Sequence, residues 1–396
     1  MSFAIDQFAP AARSSVDRPL RVLLVTQVSG GGVARHFVDL ARGLSARGVD
    51  VTGIYAPHKL DANFRARLAD GDMPPMHGLA MRRALHPLDS ADLWRLMRLI
   101  HRLGPFDLVH GHSSKGGALA RMAARALGLP SVYTPNAIVT LDPTLSAWKR
   151  QLYGRIECWL ARHTAAVIAV SDDEARHIHD LGIDPRIVQV IANGIDQPPF
   201  PPREEVRSRL GIKPDELVIG FVGRLSSQKA PELLLEAFAR AFTERSDVRL
   251  VMVGSGPLHA EMQRRVAALG LASRVMLLGD VVACDFMPAF DVFCLSSRYE
   301  GMPYVYLEAL AAGLPIVSTR VGGATMCVQP GCNGLLVAPD DGAALAAALQ
   351  KLVDDRPLRE RFAAASRQLA RRFTADQMLD QTMETYNSVL AGQLSH

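Results

Sequence analysis

The chain alternates between short apolar runs and longer stretches of helical period. LRVLLVTQV (20–28) is continuous, branched and apolar, and VARHFVDLARGLSARG (33–48) then repeats apolar positions every three or four residues. VDVTGIYA (49–56), FDLVHGH (106–112), PSVYTP (130–135), AAVIAVS (165–171) and RIVQVIANG (186–194) are further strand-sized runs, with helical patterns between them. Runs that are apolar throughout predict strands buried on both faces of a parallel sheet. QPPFPPREE (197–205) breaks the series. Proline fixes φ and removes donors, so this stretch reads as a linker. The alternation restarts with ELVIGFVGR (216–224), VRLVMVGS (248–255), RVMLLGD (274–280), DVFCLSS (291–297) and LPIVSTR (314–320). Three helical patterns close the chain, the last being ADQMLDQTMETYNSVLAG (375–392).

The pattern therefore predicts an α/β protein of two doubly wound parallel-sheet domains. A polar lead-in covers 1–19, one domain 20–197, a second 198–374, and a final helix 375–392. In such sheets ligands sit beyond the carboxyl ends of the strands, so the loops after strands carry most weight. Composition narrows the class. Of 396 residues, 48% are apolar and 21% charged, which is ordinary globular composition. The net charge of +4 is too small for a dedicated nucleic-acid binder. No apolar run is long enough to span a bilayer, and the N-terminus lacks the apolar core of a signal peptide. Cys158, Cys284, Cys294, Cys327 and Cys332 are odd in number and irregularly spaced, which argues against a disulfide framework or a zinc site. A cytoplasmic two-domain enzyme is the expectation.

Four features of the second half lie at predicted strand ends. Gly223-Arg224-Leu225-Ser226-Ser227-Gln228-Lys229 brings two cations to the start of a helix. It is either a solvated basic loop or an anion site helped by free backbone N–H groups. Gly254-Ser255-Gly256-Pro257 is a turn after a strand. Ser297-Arg298-Tyr299-Glu300-Gly301-Met302-Pro303 leaves a strand and enters the helix Tyr304–Gly313, with Pro303 in its first turn. Glu308 stands inside that otherwise apolar helix. A carboxylate there needs a partner, either a structural ion pair or the hydroxyls of a ligand such as a ribose. Gly322-Gly323 follows the strand ending at Arg320 and can expose backbone N–H groups.

GRLSSQK followed by LLLEAF, then VGSGPL, then Glu300 and Glu308, then VGG and NGLLV, resembles the GT4 family of retaining glycosyltransferases with the GT-B fold. The order holds over residues 20–390, and GGGVARHFVDLARGL, VIAVSDDEARHI and NGID match in the first half. HPLDSADLWRLMRLI followed by DLVHGHSSKGGALARMAARALG is similar to a subgroup from bacterial surface-polysaccharide assembly. The resemblance implies two Rossmann-like domains facing across a cleft, with the last helix crossing back to the first domain. It implies that Arg224 and Lys229 bind the diphosphate of a nucleotide-sugar donor and stabilise the leaving nucleotide. Glu308 would hold the ribose. Glu300 would hold the transferred sugar, with backbone groups near Gly301, Met302, Pro303 and Tyr304. Gly223, and Gly31 and Gly32 from the other domain, would approach the diphosphate, and the base would lie against RVMLLGD at Leu278. No cofactor or metal is implied, since cations and helix dipoles stabilise the departing diphosphate; a donor phosphate oxygen takes the acceptor proton in this family's front-face mechanism, so no pair of catalytic carboxylates is required. Asp70-Gly71-Asp72 has the form of a metal–nucleotide motif from another transferase fold, but ADGDMPP reads as a turn.

The acceptor side departs from the family. Its usual histidine after PSVYTP is replaced by Asn136, which hydrogen-bonds but cannot titrate. The role is then positional, or His110 or His112 substitutes. His112 and Lys115 are candidates to contact the acceptor or its phosphate; structural histidines are the other reading. Met326 stands where the family often has a glutamate after VGG. Charge is uneven as well: residues 73–171 hold 12 Lys and Arg against 5 Asp and Glu. Within them Leu93–Ile100 and Trp148–Arg155 mix apolar bulk with arginine. Such helices either pack a core beneath a solvated basic face or rest on an anionic membrane. The expectation is a UDP-sugar or GDP-sugar transferase acting on a glycan or lipid-linked acceptor. Its place is the cytoplasm, with peripheral contact at the inner membrane face. The rivals are a catalytically silent partner subunit and a sugar-nucleotide epimerase or phosphorylase on the same architecture.

Overall fold

The computed structural model describes residues 18–394 apart from 29, 59, 61, 83–85, 87 and 88. Of the expected lead-in, residues 1–17 lie outside the described residues. The chain divides into two compact units, Met1–Asn193 with Ala375–His396, and Gly194–Thr374.

The first unit runs β1 (Arg21–Thr26), α1 (Gly31–Ala46), β2 (Asp50–Tyr55), α2 (Ala62–Leu68), β3 (Met76–Gly78), α3 (Asp89–Leu103), β4 (Leu108–His112), α4 (Ser114–Ala126), β5 (Ser131–Thr134), α5 (Ala147–Ala161), β6 (Ala166–Ala169), α6 (Asp172–Asp180) and β7 (Val188–Val190). Its seven strands are all parallel, in the order β3-β2-β1-β4-β5-β6-β7. Val22 to Thr26 of β1 are buried without alternation, because helices cover both faces of the sheet. α1 directs Ala34, Phe37, Val38, Ala41 and Leu44 inward at three- and four-residue spacing.

The second unit runs α7 (Arg203–Arg209), β8 (Leu217–Val222), α8 (Pro231–Phe242), β9 (Val248–Val253), α9 (His259–Ala268), β10 (Val275–Gly279), β11 (Val292–Leu295), α10 (Tyr304–Ala311), β12 (Ile316–Thr319), α11 (Ala324–Cys327), β13 (Gly334–Val337), α12 (Gly342–Asp354) and α13 (Arg356–Ala370). Its six parallel strands lie in the order β10-β9-β8-β11-β12-β13. Asp341 and Asp355 cap α12 and α13 through their side chains, and Pro231 opens α8 where its missing N–H costs nothing.

The final helix, α14 (Ala375–Leu390), belongs to the first unit and packs on α1. A Cβ at Gly43 would stand 2.3 Å from Leu379 Cδ1, so glycine is what lets the two helices meet this closely. Tyr386 of α14 reaches the His110 Nδ1 of β4 at 2.6 Å, and the His110 Nε2 lies 2.8 Å from Thr134 Oγ1. His112 packs 4.2 Å from the His110 ring and 5.4 Å from that of His36. All three histidines are buried. Burial holds His36 down to about 4, against opposing pulls from Asp39 and Asn193. Burial, with the charge of neighbouring histidines, keeps His110 and His112 well below the ordinary imidazole value.

These depressed values have a definite sign. Unfolded imidazoles take up protons near pH ~6.5, while the folded ones stay neutral, so acid favours the unfolded chain. Stability is full above that pH and falls toward pH 4, by up to ~1.4 kcal/mol per pH unit for each histidine. Urea unfolding of the first unit should therefore weaken steadily from about pH 6.5 to about pH 4. His36→Gln should make the slope shallower. An unchanged slope in that variant would contradict the assignment.

Candidate functional site

In each unit the order of strands reverses direction beside the first strand: between β8 and β11 in the second, between β1 and β4 in the first. At such a switch point the loops leaving the two strands part, and a crevice opens beyond their carboxyl ends. Most of the candidate residues lie on these loops, at the strand ends or on the helices that follow; Leu278 lies on β10 and Asn136 after β5.

In the second unit, β8 ends at Val222, two residues before the strand end expected from sequence, and the 223–230 loop leads into α8. Arg224 is exposed on it. The Lys229 side chain is 14% exposed, and its ammonium lies 2.6 Å from Glu300 Oε1. The Ser297 hydroxyl donates to the same oxygen at 2.6 Å. Glu300 is thus a buried, paired carboxylate rather than a surface one. Pro303 stands just outside α10, as its cap, and Met302, Tyr304 and Glu308 are buried around it. The two loops are braced together. Arg298 N–H donates to Gln228 O at 2.8 Å, the Gln228 amide donates to Tyr299 O at 3.1 Å, and the Arg298 guanidinium donates to Ser227 O at 2.6 Å. Glu232 and Asp340 fix that guanidinium at 2.9 and 2.8 Å. The Ser296 hydroxyl donates to Ala230 O at 2.8 Å, with Lys229 O at 3.0 Å sharing the same proton, beside Ala230 at φ +46°.

The glycine pairs are explained by close approach. A Cβ at Gly254 would fall 2.1 Å from Gly223 O, and one at Gly256 2.4 Å from Leu225 O. A Cβ at Gly322 would fall 2.2 Å from Glu300 O. Both turns therefore press on the backbone of the Lys229 and Glu300 loops. Leu278 lies on β10, an edge strand, at a shift of register between Leu277 and Gly279. An extra residue there interrupts the ladder.

In the first unit, Gly30 caps α1 without a side chain, Gly31 has φ +66°, and Gly31 and Gly32 are exposed. No acidic residue stands in the first turn of α1. His112 ends β4, and neither ring nitrogen has a hydrogen-bond partner among the described residues; the Ser113 hydroxyl has none either. Ser113 holds φ +62° with ψ 163°, a region that glycine nearly monopolises. Asn136 and Ala137 follow β5 at φ +55° and +74°. Lys115 is engaged with Asp89 at 2.6 Å. His110 has both ring nitrogens committed, so His112 is the histidine with nitrogens to offer. Asp70 and Asp72 lie in a turn, paired with Arg42.

Sequence reasoning missed Glu174. Its buried carboxylate accepts from Ala137 N and Ile138 N at 2.8 and 2.9 Å and from Val170 N at 2.9 Å. It thereby clamps the strained loop after β5. Burial raises its pKa, and the three backbone donors pull it down. Ser171 caps α6 by accepting from Glu174 N, so the Ser-x-x-Glu spacing of a capping box was the available signal. Arg298 was quoted without a role, because its partners are scattered along the chain.

Comparison with known proteins gives a consistent result. Residues 202–369 match the family of glycosyl transferases group 1, and residues 31–194 match the glycosyl transferase 4-like domain. A D-inositol 3-phosphate glycosyltransferase of Streptomyces scabiei (strain 87.22) is 31% identical over 91% of this chain and 87% of its own. A UDP-Gal:alpha-D-GlcNAc-diphosphoundecaprenol alpha-1,3-galactosyltransferase of Escherichia coli is 32% identical over 68% of this chain and 72% of its own. Among solved structures, Anabaena Alr3699/HepE in complex with UDP-glucose superposes with a TM-score of 0.79 at 23% identity, over 93% of this chain and all of the other. WaaG, a glycosyltransferase involved in lipopolysaccharide biosynthesis, superposes at 0.72 with 20% identity, over 92% and 98%. These superpositions show the GT-B fold.

The clamp carries its own prediction. Glu174→Ala leaves three backbone donors without their acceptor. At ~1–3 kcal/mol for each unsatisfied buried group, the first unit should lose at least ~3 kcal/mol in urea unfolding. Glu174→Gln keeps one acceptor oxygen and should lose less. Equal, small losses would show that the loop holds its shape without the carboxylate.

Proposed function

The chain belongs to the group 1, or GT4, glycosyltransferases, and we propose that it moves a sugar from a UDP-sugar, in preference to a GDP-sugar, to a lipid-linked or growing bacterial surface glycan. Transfer proceeds with retention of configuration and without a metal. The observation that carries this reading is the Lys229–Glu300 pair at the switch point of the second sheet. Two relatives support the class of partners: one is named for a UDP-galactose donor and a diphosphoundecaprenol-linked acceptor, and one binds UDP-glucose in its structure.

The roles assigned here draw on the geometry and on the family resemblance. Arg224, Lys229 and the N-terminus of α8 face the diphosphate with positive charge before the reaction begins. Preorganised charge of this kind stabilises a leaving group without the cost of reorienting solvent. Both contacts of Glu300 fall on Oε1, so Oε2 is the oxygen assigned to the hydroxyls of the transferred sugar. Gly223 and the backbone of Gly301–Tyr304 line the same place, Glu308 takes the ribose, and the broken ladder at Leu278 offers backbone groups to the base. The bond from the anomeric carbon to the phosphate oxygen breaks, the acceptor oxygen bonds to that carbon, and its proton passes to a phosphate oxygen of the donor. In the first unit, His112 and Lys115 contact the acceptor, and Asn136 acts by position, since asparagine tolerates the left-handed backbone it adopts.

Calorimetric titration with UDP and with GDP, in EDTA, tests this reading on the wild type and on Lys229→Ala. UDP should bind the wild type more tightly than GDP, and Lys229→Ala should weaken it at least ~10-fold, or ~1.4 kcal/mol. Binding of neither nucleotide to folded protein either in EDTA or with added Mg2+, or equal binding by the variant, would overturn the site. Loss of binding in EDTA would overturn metal independence.

A further inference from the structure

All three tryptophans of the chain are in the first unit, and all are exposed: Trp94 by 56%, Trp148 by 63% and Trp159 by 45%. They stand on α3 and α5, the two helices that flank α4 and pack against it. Each indole carries a cation over its ring, Arg98 at 4.8 Å, Lys149 at 5.5 Å and Arg125 at 5.4 Å. On α5 the exposed positions Trp148, Leu152, Arg155, Trp159 and Arg162 recur every three or four residues, so they form one stripe along the helix and its cap.

The carboxylates of these helices are turned away from that face. α3, α4 and α5 hold nine Lys and Arg against three acids. Asp92 is 1% exposed and paired with Arg82 and Arg95. Glu157 is 4% exposed and paired with Arg121 at 2.7 Å. Asp89 is paired with Lys115. The outward cations beside the tryptophans therefore have no acid of their own helices beside them. A groove of about 760 Å³ along α5, lined by Arg150, Arg155, Trp159 and Arg162, continues the same surface.

We infer that this α3–α4–α5 face docks on a bilayer containing anionic phospholipid. Two separate properties select that occupant. Among the described residues, Arg98, Arg125, Lys149, Arg155 and Arg162 outnumber the one acid on this face, Asp180 of the groove, and an anionic head-group layer supplies the missing charge. The exposed apolar groups are chiefly indoles, whose apolar body and polar N–H suit the boundary between head groups and acyl chains. Among the described residues no helix is long and apolar enough to cross a membrane, so docking here is peripheral. The inference deepens the lipid-linked acceptor reading. Its test uses vesicles without nucleotide, whereas the nucleotide test uses no vesicles, so the two fail separately.

The test is co-sedimentation of the full chain with vesicles of phosphatidylglycerol and phosphatidylcholine, and with phosphatidylcholine alone, over a range of salt. The wild type should bind the anionic vesicles at low salt and release as salt rises. Its tryptophan emission should shift to the blue on binding, because all three indoles begin in water. It should not bind phosphatidylcholine alone. W148A/W159A and R155E/R162E, each shown by circular dichroism to be folded, should bind on the order of tenfold more weakly or worse. Three results would overturn the inference: a wild type that stays in solution with unchanged emission, equal binding to both kinds of vesicle, or variants that bind as the wild type does. Loss of a self-associated species in W148A/W159A, without vesicle binding by the wild type, would instead assign the face to a second copy of the chain.

Discussion

A parallel sheet that starts near its middle must wind first one way and then the other, so the chain leaves the two strands at the reversal toward opposite faces of the sheet. This constraint places the chemistry of both units. In the second, β8 and β11 are the reversing pair, and the loops leaving them carry Lys229 and Glu300. In the first, β1 and β4 are the pair; Gly31 and Gly32 open the helix after β1, His112 ends β4 and Ser113 follows it. A crevice that opens by topology still has to be kept in register. Here Arg298, Gln228 and Ser296 do so by binding backbone carbonyls across the gap. Gly254, Gly256 and Gly322 permit the neighbouring turns to press in from the sides.

Charge is handled differently in different places. Buried carboxylates that belong to the scaffold are fully used: Glu157 by Arg121 and Tyr133, Glu174 by three backbone N–H groups. The Glu300–Lys229 pair is also largely buried, but it lies at a switch point, where in the proposed function an incoming diphosphate would compete for the ammonium. A buried pair of this kind adds little net stability, since desolvation offsets much of the attraction. Its value is that both charges are already positioned when ligand arrives.

The strands were legible because each is apolar on both faces, as burial between helices requires. β3 and β13, short runs at the two sheet edges, were not read as strands, because three or four residues carry little pattern. The residues at the second switch point could be found by chemistry, since two cations and an acid near helix starts stand out in an apolar context. What could not be read was how they are held. Arg298 lies beside Glu300, but its partners Ser227, Glu232 and Asp340 come from three places in the chain. Glu174 acts on a loop 37 residues earlier. His110 could be either ligand contact or core from sequence; its partner Tyr386, 276 residues away, makes it a brace between α14 and the sheet. The glycine turns were weak signals for the same reason: their need is set by another loop's backbone.

The central claim is that Glu300 recognises the sugar while Lys229 recognises the diphosphate. Comparing UDP with a panel of UDP-sugars on wild type and Glu300→Ala tests it most directly. In the wild type, the matching UDP-sugar should bind more tightly than UDP. In Glu300→Ala, UDP should still bind, and the advantage of the sugar should vanish. Survival of that advantage would contradict the account and move sugar recognition elsewhere.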